Sequence, residues 1–318
     1  MVPGEERHRQ LANRFACQGG LVTRQQLGEL GFAEHDIARM LRRRDLVRVH
    51  PGVYVGHTGP LSWHQRSWAA VLACWPAGLR GASALRSAQP RLRDGADDRQ
   101  PIEVVVDWRR TVRVPGVDVR RSRSFPAGVL WTTFPPRQRA EEYVLDLAAA
   151  AGTDVDAVGV VADALGAWRA SATALRSALD GRARIARRAF LEAVIDDAAA
   201  GTCSALEHGY LHRVERAHGL PTPDRQVRES AKGTLYRDVV YAAFGLIVEL
   251  DGRLHHSGIR NRDRDLERDL DAAVAGRETV RLGWGQVFGG QCRTAPRLGA
   301  LLRQRGWTGA THPCPECA

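Results

Sequence analysis

Two short apolar, β-branched runs set four residues apart constrain this chain more than anything else in it. Leu235–Tyr241 and Leu246–Asp251 read as strands, and Ala242–Gly245 between them is short enough for a hairpin loop. With that loop, Asp238 lies directly across from Glu249, and Asp251 shares their face two residues further along. Like charges opposite one another on neighbouring strands are destabilising, so three clustered carboxylates imply a cation between them. A divalent metal is the obvious candidate.

At 318 residues the chain exceeds one ordinary core, and two or three domains are expected. No run approaches the ~18 apolar residues that cross a bilayer, and the charged start MVPGEERHRQ lacks a signal peptide's apolar segment. These features predict a soluble, cytoplasmic protein with no membrane partner. A net charge of +10 favours a polyanion, and Lys232 is the only lysine, so nearly all of the positive charge is Arg. The planar guanidinium fork binds phosphate oxygens bidentately, which places nucleic acid ahead of a membrane surface.

The cysteines at 17, 74, 203, 292, 314 and 317 show no disulfide-framework spacing. Cys314 and Cys317 form a CxxC with His312 just before it, half of a zinc site, but no second CxxC supplies the other half.

Residues 1–56 read as a helical unit ending in a hairpin. Thr23 and Gln26 form a capping box, Leu27 and Leu30 supply apolar spacing, and Gly31 ends the helix. A second helix runs from about Ala33 to Arg44, with Ile37, Met40 and Leu41 inward and Arg39, Arg42 and Arg43 outward. LVRVHPGVYV then gives two alternating strands around His50–Gly52, the wing of a winged helix-turn-helix, with Arg48 on it. Arg39, Arg42, Arg43 and Arg48 are the DNA-binding candidates; a basic solvated helix beside a structural hairpin is the other reading of the same pattern.

The arrangement GLVTRQQL…GFAEHDIARMLRRRDLVRVHPGVYV resembles the N-terminal winged-helix domain of AbiEi-type antitoxins, over roughly the first fifty-five residues. The resemblance implies DNA binding. It leaves open an antitoxin role with a toxin protein as partner.

The region 57–200 reads as a mixed α/β middle domain without a catalytic constellation. Ser62–Trp75, Gly81–Ser87, Glu141–Ala151 and most of Val155–Ala200 look helical, and IEVVVDW and VDVRRSRSF look like strands. Asp94–Asp98 reads as a polar loop and Arg182–Arg188 as a basic helical run with a solvated face.

A third domain is expected over 201–310, followed by a tail, 311–318. Ser204 and Glu207 fit a capping box on a helix reaching about His218, while Glu207, Tyr210, Leu211 and Val214 share one inward stripe. Helix, strand, loop, strand, carrying Glu207, Asp238 and Glu249 in that order, is the layout of the PD-(D/E)xK nuclease core. More closely, DVVYAAFGLIVELDGRLHH followed by NRDRDLERDLDAAVAGRETVRLGWGQVF resembles an uncharacterised actinobacterial family related to the very-short-patch-repair (Vsr) endonucleases, over about Thr202–Phe288.

That resemblance implies a restriction-endonuclease-like fold and an Mg²⁺- or Mn²⁺-dependent DNA endonuclease. Asp238, Glu249 and Asp251 would hold the metal, Glu207 would support them, and His255 and His256 would move protons. Asp251 stands where the wider superfamily has its catalytic lysine, and Lys232 precedes Asp238, so the second strand offers no lysine. A histidine then does the proton work, or the site is inactive. Arg260, Arg262, Arg264 and Arg268 alternate with acidic residues at helical spacing, which favours a salt-bridged exposed helix. The sequence therefore describes an α/β protein with two readings: a DNA-binding endonuclease, or a non-enzymatic regulator with a nuclease-like scaffold.

Overall fold

The computed structural model describes residues 4–89, 100–167, 169–200, 204–230, 234–251, 270, 273–274 and 276–317; side chains at 4, 200, 204, 226–230, 234–237 and 316 lie outside that description. The chain divides into two compact units, residues 1–146 and 147–318. That division falls inside the stretch 57–200 read from sequence as a middle domain.

The first unit begins with helix α1 (Gly4–Cys17), strand β1 (Leu21–Thr23), helices α2 (Arg24–Glu29) and α3 (Glu34–Arg43), and strands β2 (Val47–His50) and β3 (Val53–Val55). The strands form a sheet in the order β1-β3-β2. Each boundary has a local cause. Thr23 Oγ1 accepts from the Gln26 amide at 3.1 Å while Gln26 Oε1 accepts from the Thr23 amide at 2.9 Å, so the capping box starts α2. Gly31, at φ +84°, makes the turn into α3, a conformation that L side chains rarely adopt. Leu11, Val22, Leu27, Phe32, Ile37, Leu46 and Tyr54 bury one another between the helices and the sheet.

Asp36 fastens this unit. Its carboxylate accepts from the Ala33 amide at 3.1 Å and from Arg39 at 2.6 Å, and Arg7 of α1 lies 3.7 Å away. The Ala33 hydrogen bond above all, then the neighbouring His35, Arg39 and Arg7 charges, hold the carboxyl below its usual value against the opposing effect of burial. A depressed folded-state value contributes stability at neutral pH that is lost as pH falls through it. Wild type is therefore expected to melt above Asp36→Asn near neutrality. The gap should close as pH drops below about 5, measured by thermal unfolding across a pH series.

The remainder of the first unit is a five-stranded sheet in the order β6-β5-β4-β8-β7. Its strands are β4 (Gly78–Leu79), β5 (Ile102–Asp107), β6 (Val117–Ser122), β7 (Val129–Leu130) and β8 (Arg137–Gln138), with helices α4 (Trp63–Ala73), α5 (Gly81–Ala88) and α6 (Ala140–Ala150) beside them in the chain. The helices and strands read from sequence in this stretch are present within a few residues. The polar loop read at Asp94–Asp98 lies outside the described residues.

The second unit opens with α7 (Asp154–Gly166), α8 (Ala172–Asp180) and α9 (Arg188–Ala200). The basic helical run expected at Arg182–Arg188 is instead the connection between α8 and α9 with the first residue of α9; Arg184 is exposed, but Arg182, Arg187 and Arg188 are partly buried. Arg187, at φ +57°, donates to Asp154 at 3.0 Å and to the Ala149 carbonyl at 3.1 Å; Arg188 donates to the Leu179 carbonyl at 3.2 Å. These groups satisfy carbonyls at helix ends, which charge patterning alone does not reveal.

Helix α10 (Ser204–Gly209) continues through a π-helical turn, Tyr210–Glu215, and a 3₁₀ turn, Arg216–His218, to Gly219 at φ +68°. Asp197 accepts from the Ala205 amide at 2.7 Å and caps α10; the capping side chain read at Ser204 is outside the described set. A four-stranded sheet follows in the order β12-β11-β10-β9, comprising β9 (Asp224–Ser230), β10 (Thr234–Tyr241), β11 (Leu246–Leu250) and β12 (Glu278–Leu282). A short helix, Trp284–Phe288, and the C-terminal helix, Gln291–Gln304, complete the unit.

The π turn has a consequence for burial. The straight stripe of Glu207, Tyr210, Leu211 and Val214 predicted from spacing gives way to Leu206, Tyr210, Val214, Glu215 and His218, all buried. The buried carboxylate of this helix is thus Glu215, paired with Arg225 of β9, and Glu207 is only partly buried. Tyr210 and Tyr241 share a buried hydroxyl–hydroxyl hydrogen bond of 2.8 Å, and burial pushes both phenols up. Tyr241→Phe leaves the Tyr210 hydroxyl unpaired and is expected to cost about 1–3 kcal/mol, while the double Tyr210→Phe/Tyr241→Phe variant recovers most of that, measured by denaturant unfolding.

Candidate nucleic-acid interface and carboxylate pair

The hairpin pairs β10 with β11 antiparallel, Val239 opposite Val248, Val240 opposite Ile247 and Tyr241 opposite Leu246. Continuing that register by one pair sets Asp238 opposite Glu249, on the face of Val240 and Ile247. The loop is the 3₁₀ turn Ala242–Phe244 closed by Gly245 at φ +59°. Asp238 and Glu249 are half-buried, and Asp251, just past the strand, is exposed.

Two groups lie next to this like-charge pair. Asp238 Oδ2 accepts from the Leu250 amide at 2.7 Å, and the parallel register of β11 on β12 sets Arg281 beside Glu249. The cation inferred from the clustered charges thus has a guanidinium candidate in the neighbouring strand.

Glu207 stands differently. The helix that carries it packs through Tyr210 against Tyr241, and through Glu215 against Arg225, which lies opposite Val239. Strand alternation puts Val239 and Tyr241 on the reverse face from Asp238 and Glu249. Among the described residues, Glu207, Asp238, Glu249 and Asp251 do not form a group of three or more with ligand atoms converging on one point. His255 and His256, with Arg260, Arg262, Arg264 and Arg268, lie outside the described residues.

In the first unit the four predicted DNA-contacting residues, Arg39, Arg42, Arg43 and Arg48, are all exposed. They are not equivalent. Arg39 is held by Asp36, and Arg43 lies 3.5 Å from Asp45. Among the described residues Arg42 and Arg48 have no carboxylate partner. Sequence reading passed over Arg44, equally exposed, which takes a left-handed conformation at φ +61° to end α3 and adds charge to the same corner.

Residues 9–55 match a family model described as a transcriptional regulator, AbiEi antitoxin. The match spans α1 to the wing and is a likeness of that segment alone. No curated protein matches the chain. No helix among the described residues is long and apolar enough to cross a membrane.

Proposed function

We propose that this chain is a DNA-binding regulator that docks α3 in the major groove and lays the β2–β3 wing along the adjoining backbone. The observation that carries the reading is the order of helices and hairpin from α1 to β3, compatible with a winged helix-turn-helix, with exposed Arg42, Arg43, Arg44 and Arg48 at α3's end and on β2. Arginine forks at a helix end and on a wing can contact phosphates on both sides of a groove, or a guanine edge within it. Similarity to AbiEi antitoxin regulators supports the same reading and makes a toxin protein the partner to look for. Binding of the full chain to duplex DNA without added Mg²⁺ or Mn²⁺ is the test: the regulator needs neither ion to bind.

A second reading, a Mg²⁺- or Mn²⁺-dependent DNA endonuclease, draws support from one observation: Asp238 and Glu249 share a face at the end of a hairpin. The described residues fit a metal centre only in part, because two carboxylates sit together there without a convergent third. Bound at such a site, a divalent ion would polarise a phosphodiester and acidify a water. What these residues do on their own is narrower: Asp238 fixes the Leu250 amide, and Glu249 sets a negative charge beside Arg281.

A further inference from the structure

We infer that His218, Cys292, Cys314 and Cys317 form a closed structural zinc site in the second unit. Their four ligand atoms all lie within 4.8 Å of one another, although they come from three separated segments. His218 ends the 3₁₀ turn after the π segment, Cys292 stands in the first turn of the C-terminal helix, and Cys314 and Cys317 bracket a short 3₁₀ knuckle. The knuckle closes with the Cys317 amide donating to the Cys314 carbonyl at 2.9 Å, and the His312 amide donates to the His218 carbonyl at 3.1 Å.

The separations have the size of a metal tetrahedron. With Zn–S of about 2.3 Å and Zn–N of about 2.0 Å, tetrahedral geometry puts ligand atoms about 3.8 Å apart for two sulfurs and about 3.5 Å apart for sulfur and nitrogen. The structure places Cys292 Sγ 3.6 Å from Cys314 Sγ, Cys314 Sγ 3.6 Å from Cys317 Sγ, and Cys317 Sγ 3.4 Å from His218 Nε2. A disulfide needs about 2.05 Å between sulfurs and would leave one of three thiols over. All three are free.

His218 is oriented as a ligand. Its Nδ1 faces the Val214 carbonyl at 3.2 Å, and a carbonyl can only accept, so the proton resides on Nδ1 and Nε2 presents its lone pair to the sulfurs. The ring is 1% exposed, and burying it there otherwise gains Nε2 nothing stronger than a thiol contact. Three thiolates and one imidazole are the soft donor set that selects zinc, and four protein ligands leave no open position for catalysis. On binding, zinc replaces three thiol protons, which pass to solvent. The His312 read from sequence as the neighbouring ligand is not one of the four: it is exposed and packs over Gly219. The ion would tie the chain's last residues and its C-terminal helix to the helix that carries Glu207.

The test is metal analysis of the full chain expressed with added zinc, beside Cys314→Ser/Cys317→Ser and a control, Cys17→Ser, in the first unit. One zinc per chain is expected in wild type and control and none in the double variant. Cobalt(II) exchanged into wild type should give thiolate charge-transfer and tetrahedral d–d absorption. If the double variant does not fold, wild type treated with a strong chelator serves instead: its last residues should become the first site of proteolysis, and added zinc should reverse this. Wild type without zinc, zinc unchanged in a folded double variant, a different native metal, or tail proteolysis indifferent to the chelator would each overturn the site.

Discussion

Replacing Arg42, Arg43 and Arg48 together with alanine is expected to lower the affinity of the full chain for duplex DNA on the order of 10²-fold near 0.1 M salt. Each phosphate contact contributes about 0.9 to the slope of log affinity against log salt, so three lost contacts flatten it by about 2.7. All three side chains are exposed, so the melting temperature should stay within a degree or two of wild type. Arg39→Ala behaves in the opposite sense. Its guanidinium is held by Asp36 at 2.6 Å, so its loss should weaken the fold more than the salt dependence. An anisotropy titration at several salt concentrations separates the two classes.

Asp238→Asn carries the second large effect. Asparagine keeps an acceptor for the Leu250 amide now bound at 2.7 Å, so the hairpin should persist while the negative charge is lost. Asp238→Ala unpairs that amide and should cost about 1–3 kcal/mol. If the second unit is an endonuclease, wild type nicks plasmid DNA with Mg²⁺ or Mn²⁺, and Asp238→Asn reduces nicking by at least about 10²-fold, a typical loss for a charge acting on the reacting centre. DNA binding should be intact in both variants. A wild type that never cuts leaves the regulator alone, with the hairpin as scaffold.

What could be read from the sequence followed the range of its causes. The capping box at Thr23, the glycine after α2 and the four-residue loop at Ala242–Gly245 act over a few residues, and each stands where spacing puts it. The π turn after Gly209 did not show: it shifts the helix's phase, so Glu215 rather than Glu207 is buried. Arg182–Arg188 looked like a solvated helix because a charge run says nothing of the carbonyls its guanidinium groups will meet. The carboxylate pair was legible through its register, but Arg281 beside it belongs to a later strand whose position depends on the sheet. Most hidden was the cysteine–histidine cluster, since CxxC showed only half of it and His218 stands 99 residues from Cys317.

The most direct measurement is the affinity of the full chain for duplex DNA without added Mg²⁺ or Mn²⁺, read across salt for wild type and the Arg42→Ala/Arg43→Ala/Arg48→Ala variant. A regulator that docks α3 and its wing predicts binding independent of added Mg²⁺ or Mn²⁺, steeply weakened by salt in wild type and less so in the variant. Binding that requires added Mg²⁺ or Mn²⁺, or that the three substitutions leave unchanged, would contradict it.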